Sequence, residues 1–171
     1  MNKVGDIVEF MGKGPVHGIL SRLIWLFERW WDRWGWHVAF ICGYDNDRGP
    51  LICESVAGGV RVIPLREVAG GYGEYRIHSW FEESPEQSKV DAYVESVLGA
   101  KYDVAIYFWT ALQYLVRHFF NHRIPRLLDN RYTCWENVFF FCREMGKPIQ
   151  AIYDCPMITD LLKGLGACQK S

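Results

Sequence analysis

With 171 residues, half of them hydrophobic and 16% aromatic, the chain is long enough to bury a real core and too apolar to be disordered. Its 19 basic and 20 acidic side chains give a formal net charge of −1, which removes the electrostatic case for a nucleic-acid partner. Met1 to Asp6 lacks the apolar run of a signal peptide, and the most apolar segment, Val104 to Val116, holds Thr110 and Gln113 and is too short to cross a bilayer. The expectation is a cytoplasmic protein with no transmembrane segment.

In chain order, Gly5–Phe10 predicts a first strand, and Met11–Pro15 a turn by its glycine and proline content. From Gly18 to Trp34 the pattern turns helical, with Leu20, Leu23, Ile24, Phe27, Trp30, Trp31 and Trp34 on one stripe. Five of the eight tryptophans lie between 25 and 36. This helix either packs on a sheet or forms a rim for an apolar substrate, an acyl chain or a membrane interface. A membrane interface favours a basic polar face, and the charges here are mixed.

Four strands are predicted next: Trp36–Tyr44, Leu51–Val56, Val60–Pro64 and Tyr72–Trp80. Asp45–Pro50 is a polar turn, and Ala57-Gly58-Gly59 a hairpin turn. Short consecutive strands joined by tight turns predict an antiparallel sheet. Ser84-Pro85-Glu86-Gln87 then reads as a helix start, with Ser84 as cap and Pro85 in the first position. Val90, Tyr93, Val94, Val97 and Leu98 form its buried stripe, and Gly99 ends it.

Tyr102–Phe120 is apolar almost all round and predicts a central helix, followed by a loop over Asn121–Arg131. Thr133 and Glu136 form a capping box that opens a helix running to Met145, with Gly146 and Pro148 as stop signals. Pro156 opens a last short helix. No repeat and no second core appear, so the expectation is one α+β domain over 1–171, a small antiparallel sheet packed against helices.

The six cysteines are 42, 53, 134, 142, 155 and 168. None forms a Cys-x-x-Cys pair and the histidines make no metal motif, so free thiols are expected, with no metal and no cofactor. Cys134 stands on the first turn of a capped helix, where free backbone N–H groups and the helix dipole favour a thiolate and can hold an oxyanion. A thiolate nucleophile needs a base, and the base an orienter. His37 opens an apolar strand. Glu54 lies in another, where a lone carboxylate is costly. A His37–Glu54 hydrogen bond would satisfy both and fix the imidazole tautomer. His17, His78, His118 and His122 read as structural or solvated. Cys42, Cys53 and Cys142 read as packing, and Cys155, before Pro156, is the rival nucleophile.

In order along the chain stand Gly5-Asp6-Ile7-Val8, Gly12-x-Gly14, Ser21-Arg22-Leu23-Ile24, His37-Val38-Ala39, Glu54-Ser55, Gly59-Val60-Arg61, Pro64-Leu65, Leu98-Gly99-x-x-Tyr102-Asp103 and Tyr132-x-Cys134-x-Glu136. This series resembles the circularly permuted papain-like amidases of the NlpC-type cysteine peptidase superfamily, in which the histidine strand precedes the cysteine helix. The resemblance covers nearly the whole chain. It implies a permuted papain-like fold with a barrel-like sheet, Cys134 as nucleophile, His37 as base and Glu54 as the polar third member. Tyr132 would help line the oxyanion site. Two residues depart from the family pattern and reshape the substrate pocket: Trp36 where a small residue often precedes the histidine, and Trp135 where serine often follows the cysteine.

The expected activity is hydrolysis of an amide through a thioester acyl-enzyme. The substrate would be a small peptide or amino-acid amide, such as one derived from the cell wall. Two alternatives stand beside it. One is a lipid acyltransferase or phospholipase using the same Cys–His site, with the acyl chain at the tryptophan-rich helix. The other is an inactive binding module.

Overall fold

The computed structural model describes residues 2–10, 37–103, 116, 119 and 132–149. In chain order these residues form β1 (Ile7–Phe10), β2 (His37–Asp45), β3 (Gly49–Val56), β4 (Gly59–Pro64), α1 (Leu65–Tyr72), β5 (Tyr75–His78), α2 (Gln87–Val97) and α3 (Cys134–Glu144). The architecture is α+β. One five-stranded sheet has the order β4-β3-β2-β1-β5, and every neighbouring pair is antiparallel.

The sheet is open, which corrects the barrel-like expectation. Closure would require β4 to pair with β5. The outer edge of β4 is instead taken by the chain after α2: Val60 N–H donates to the Ala100 carbonyl at 2.8 Å, and Gly99 N–H to the Val60 carbonyl at 2.9 Å. Gly59 permits this approach, with φ at +108° and a position where a Cβ would lie 2.7 Å from the Ala100 oxygen.

Both faces of the sheet are covered. This explains why β2 reads as an unbroken apolar run, Val38-Ala39-Phe40-Ile41, rather than an alternating one. Val8, Phe10, Ala39, Ile41 and Ile52 turn to one face and pack with Leu65 and Val68 of α1. Ile7, Val38, Phe40, Cys42 and Cys53 turn to the other and pack with Val90, Tyr93 and Val97 of α2 and Val138, Phe141 and Cys142 of α3. Phe141 stacks on Phe40, with ring centroids 3.8 Å apart and planes 6° apart. Tyr93 ties the two helices together by donating its hydroxyl to the Asn137 carbonyl at 2.8 Å.

Three local expectations are corrected. Tyr72 belongs to α1 rather than to a strand, and β5 begins only at Tyr75, after Gly73 breaks the chain direction at φ +83°. Next, α2 starts at Gln87 with Glu86 in the capping position, and its N-cap makes no side-chain bond. Pro85 packs against Gly5 instead, at a distance that leaves no room for a Cβ there. The Gln87 amide reaches back to the carbonyl of Cys42, next to the register shift between Ile41 and Gly43. Finally, the hairpin between β3 and β4 turns on Ala57-Gly58 alone, because Gly59 pairs with Val56.

The helices expected over 18–34 and from Pro156, the loop over 121–131, and all of the 102–120 helix except Tyr102, Asp103, Val116 and Phe119 lie outside the described residues. Among the described residues, no helix is long and apolar enough to cross a membrane.

Candidate active site

His37 is the first residue of β2, and Cys134 the first of α3. The later half of α3 sits on Phe40, so its N-terminus comes back towards the start of the strand. There the Cys134 side chain comes close enough to the His37 ring to favour its protonated form. The helix start is set locally. The Thr133 hydroxyl accepts from the Glu136 N–H at 3.4 Å and donates to the Glu136 carboxylate at 2.8 Å, while Thr133 N–H donates to that carboxylate at 3.0 Å. This is the capping box expected from the sequence.

The other side of the imidazole faces Glu54. His37 Nε2 lies 2.7 Å from Glu54 Oε2. That leaves Nδ1 as the nitrogen available to Cys134. Glu54 is fully buried, and its second oxygen is occupied as well. Arg61 donates to Oε1 from Nε at 2.8 Å and approaches it from Nη2 at 2.6 Å. Burial alone would raise the Glu54 pKa, but the hydrogen bonds and charges of His37 and Arg61 outweigh it and hold the carboxyl below its usual range. For His37, burial opposes the proton. The hydrogen bonds to Cys134 and Glu54, with the negative charge of both, overcome this and push the imidazole up to about 9. The imidazolium so favoured is the charge state that pairs with a thiolate.

Two aromatic rings fix the imidazole plane. Tyr72 stacks on His37 with centroids 5.3 Å apart and planes 9° apart, and Phe10 stacks on it at 5.5 Å. Tyr72 and Phe10 also touch each other, at 4.9 Å. Burial, together with the negative charges of Glu54 and Cys134, pushes the Tyr72 hydroxyl up to about 12, so it remains a neutral phenol.

The remaining site residues expected from the sequence are distributed as follows. Trp36 lies outside the described residues. Trp135 is buried in the apolar cluster between the sheet and the helices. The Tyr132 ring packs edge-on against Phe140 at 5.9 Å, while its backbone is firmly held. Its carbonyl accepts from the Ser55 hydroxyl and the Asp103 N–H, and its N–H donates to the Lys101 carbonyl. β3 thus contributes on both faces: Glu54 orients the histidine, and Ser55 anchors the segment just before the cysteine.

Arg61, Tyr72 and Phe10 also line the site, and no sequence motif marks them as site residues. Arg61 was within reach of the sequence, because a two-residue turn at Ala57-Gly58 places residue 61 directly across from residue 54. Phe10 likewise faces His37 across the β1–β2 pair. Tyr72 had a weaker signal, the Leu65–Val68–Tyr72 stripe, which Gly70 and Gly71 interrupt.

The other described cysteines are poorly suited to nucleophilic chemistry. Burial pushes the Cys42 and Cys53 thiols up to about 12 and raises Cys142 as well, so all three stay protonated. His78, expected to be structural or solvated, pairs with the buried Glu9 at 2.8 Å. Among the described residues, no group of three or more His, Cys, Asp or Glu side chains is placed to hold a metal ion.

The chain matches no family model and no curated protein.

Proposed function

We propose that this chain is a cysteine hydrolase of the permuted papain-like kind, cleaving an amide through a thioester. The observation that carries the reading is the hydrogen-bonded line His37–Glu54–Arg61, with Cys134 beside the imidazole on the first turn of a capped helix. A merely structural histidine needs one buried partner. This one stands between a thiol and a carboxylate that is itself fixed from its far side.

In the proposed reaction the Cys134 thiolate attacks the carbonyl carbon, forming the S–C bond, and the charge moves to the carbonyl oxygen. The Cys134 backbone N–H, at the positive end of the α3 dipole, would receive it. The C–N bond breaks as His37 gives its Nδ1 proton to the leaving amine. Neutral His37 then takes a proton from water, the hydroxide adds to the thioester, and C–S cleavage restores thiolate and imidazolium. Glu54 stays ionised throughout and keeps the ring in place. The preferred substrates are a small peptide or an amino-acid amide, including cell-wall fragments.

The test is site-resolved alkylation with iodoacetamide from pH 5 to 9, on wild type and His37→Ala, with each cysteine read by peptide mass. Cys134 is 4% exposed, so a narrow reagent is required. Cys134 should outpace glutathione at pH 6, and His37→Ala should remove that advantage. A Cys134 rate that follows glutathione across the range, or ignores His37, would sink the hydrolase reading and favour a binding module. A panel of peptide amides and lipid esters then separates amidase from acyltransferase.

A further inference from the structure

On the α1 face of the sheet, five side chains stand in one row: Tyr75 on β5, Phe10 on β1, His37 on β2, Glu54 on β3 and Arg61 on β4. Each touches the next. The Tyr75 and Phe10 ring centroids are 6.2 Å apart and those of Phe10 and His37 5.5 Å; His37–Glu54 is 2.7 Å and Glu54–Arg61 2.6 Å. The row is buried in the middle and open at its ends, Tyr75 being 42% exposed and the Arg61 side chain 52%.

The Arg61 end is built like half of a recognition site. Nε and Nη2 both meet the same Glu54 oxygen, so the guanidinium plane is fixed, and Nη1 makes no hydrogen bond to any described residue. An exposed arginine ordinarily loses rotamer freedom when it binds an anion, but this one is already held. The outward edge, Nη1 with the second proton of Nη2, is the fork that donates to a carboxylate end-on. Glu54 gives Arg61 only one of its two oxygens, the other being bound to His37, so the outward edge of the guanidinium keeps its own donors.

We infer that Arg61 binds substrate as well as fixing Glu54, and that the enzyme takes an acyl compound carrying a carboxylate near the scissile bond. The inference rests on the hydrolase reading above and narrows its substrates to acidic peptides or peptides with a free C-terminal carboxylate close to the cleaved amide.

The probes are iodoacetate, 3-iodopropionate and 4-iodobutyrate, each against its own amide, with Cys134 followed by peptide mass. In every case the S–C bond forms and iodide leaves. Three spacer lengths are used because the separation of thiol and guanidinium sets which one fits. At one length the acid-to-amide rate ratio at Cys134 should exceed that of glutathione by about tenfold or more. The His37 charge contributes to this ratio whatever occupies position 61, so the decisive reading is its dependence on Arg61. Arg61→Gln should remove most of the excess, and Arg61→Lys should keep part of it. As a check free of any folding defect, glutarate should slow iodoacetamide alkylation of the wild type saturably, and glutaramide should not.

A ratio unchanged by Arg61→Gln at all three lengths, or no glutarate protection of the wild type, would overturn the inference. If the amides still react quickly and depend on His37, the hydrolase reading survives and only the carboxylate is lost. If Cys134 is no faster than glutathione even with the amides, the hydrolase reading has failed and the inference falls with it.

Discussion

Two histidine–glutamate pairs lie on opposite faces of the same sheet. His37 and Glu54 meet at 2.7 Å on the α1 face, His78 and Glu9 at 2.8 Å on the face of α2 and α3. In each, a buried carboxylate receives a ring nitrogen, and by distance alone they are equivalent. They differ in what surrounds them. Glu54 has Arg61 on its second oxygen, and His37 has Cys134 on its second nitrogen and two rings against its face. Among the described residues, the Glu9 carboxylate has His78 as its side-chain partner, and the bond fastens β5 to β1. The contrast teaches that a histidine–carboxylate bond is a fastening by default. It becomes chemistry when the ring has a second partner to exchange a proton with.

Exchanging the carboxylates separates the two roles. Glu54→Gln should slow iodoacetamide alkylation of Cys134 at pH 6 by about 100-fold or more, because the amide no longer supports an imidazolium. Glu9→Gln should leave that rate within about twofold and instead lower the urea midpoint by an amount equivalent to about 1–2 kcal/mol. Equal effects on alkylation would erase the distinction.

A second contrast lies in pH. Folding raises the His37 pKa from 6.5 to about 9. Protonated His37 therefore stabilises the fold in full below pH 6.5, and this contribution is lost as the pH rises through about 9. Urea denaturation from pH 6 to 10 should show wild-type stability falling by up to about 3 kcal/mol across that window. His37→Gln should be flat where the wild type falls. A wild type that is equally flat would mean that folding adds no net proton to the site in this window.

The smallest effect concerns the helix start. Thr133→Ala removes the capping hydroxyl and should cost about 1 kcal/mol in urea denaturation. Because Cys134 is the next residue, the same variant should also slow its alkylation, by about three- to tenfold. A stability loss with no change in alkylation would show that the cap holds the helix without placing the thiol.

What was legible in the sequence was mostly local. The Thr133–Glu136 box and the hairpin of β3 and β4 are each written within a few residues, and the structure has both. The His37–Glu54 bond was reached through chemical need, since two polar groups in apolar strands must find partners. The start of α2 shows the limit of local signals: Ser84-Pro85 has helix-opening chemistry, yet Pro85 packs against a glycine some eighty residues away. Arg61 went unread because a three-residue turn at Ala57-Gly58-Gly59 hides the opposition of 54 and 61. Tyr72 went unread because Gly70 and Gly71 weaken the helix that delivers it. Openness of the sheet was not legible at all, since it depends on which backbone reaches the edge of β4 first.

That edge bears on how the molecule behaves in company. An outermost strand with free N–H and C=O groups is a template for a strand from another chain. At Val60 both groups are already taken by the strap at Gly99 and Ala100, and the strap fits because residue 59 has no side chain. A methyl group at that position would lift the strap and leave the edge bare. The same glycine that lets the chain after α2 close on β4 therefore also guards the folded protein against strand-to-strand aggregation.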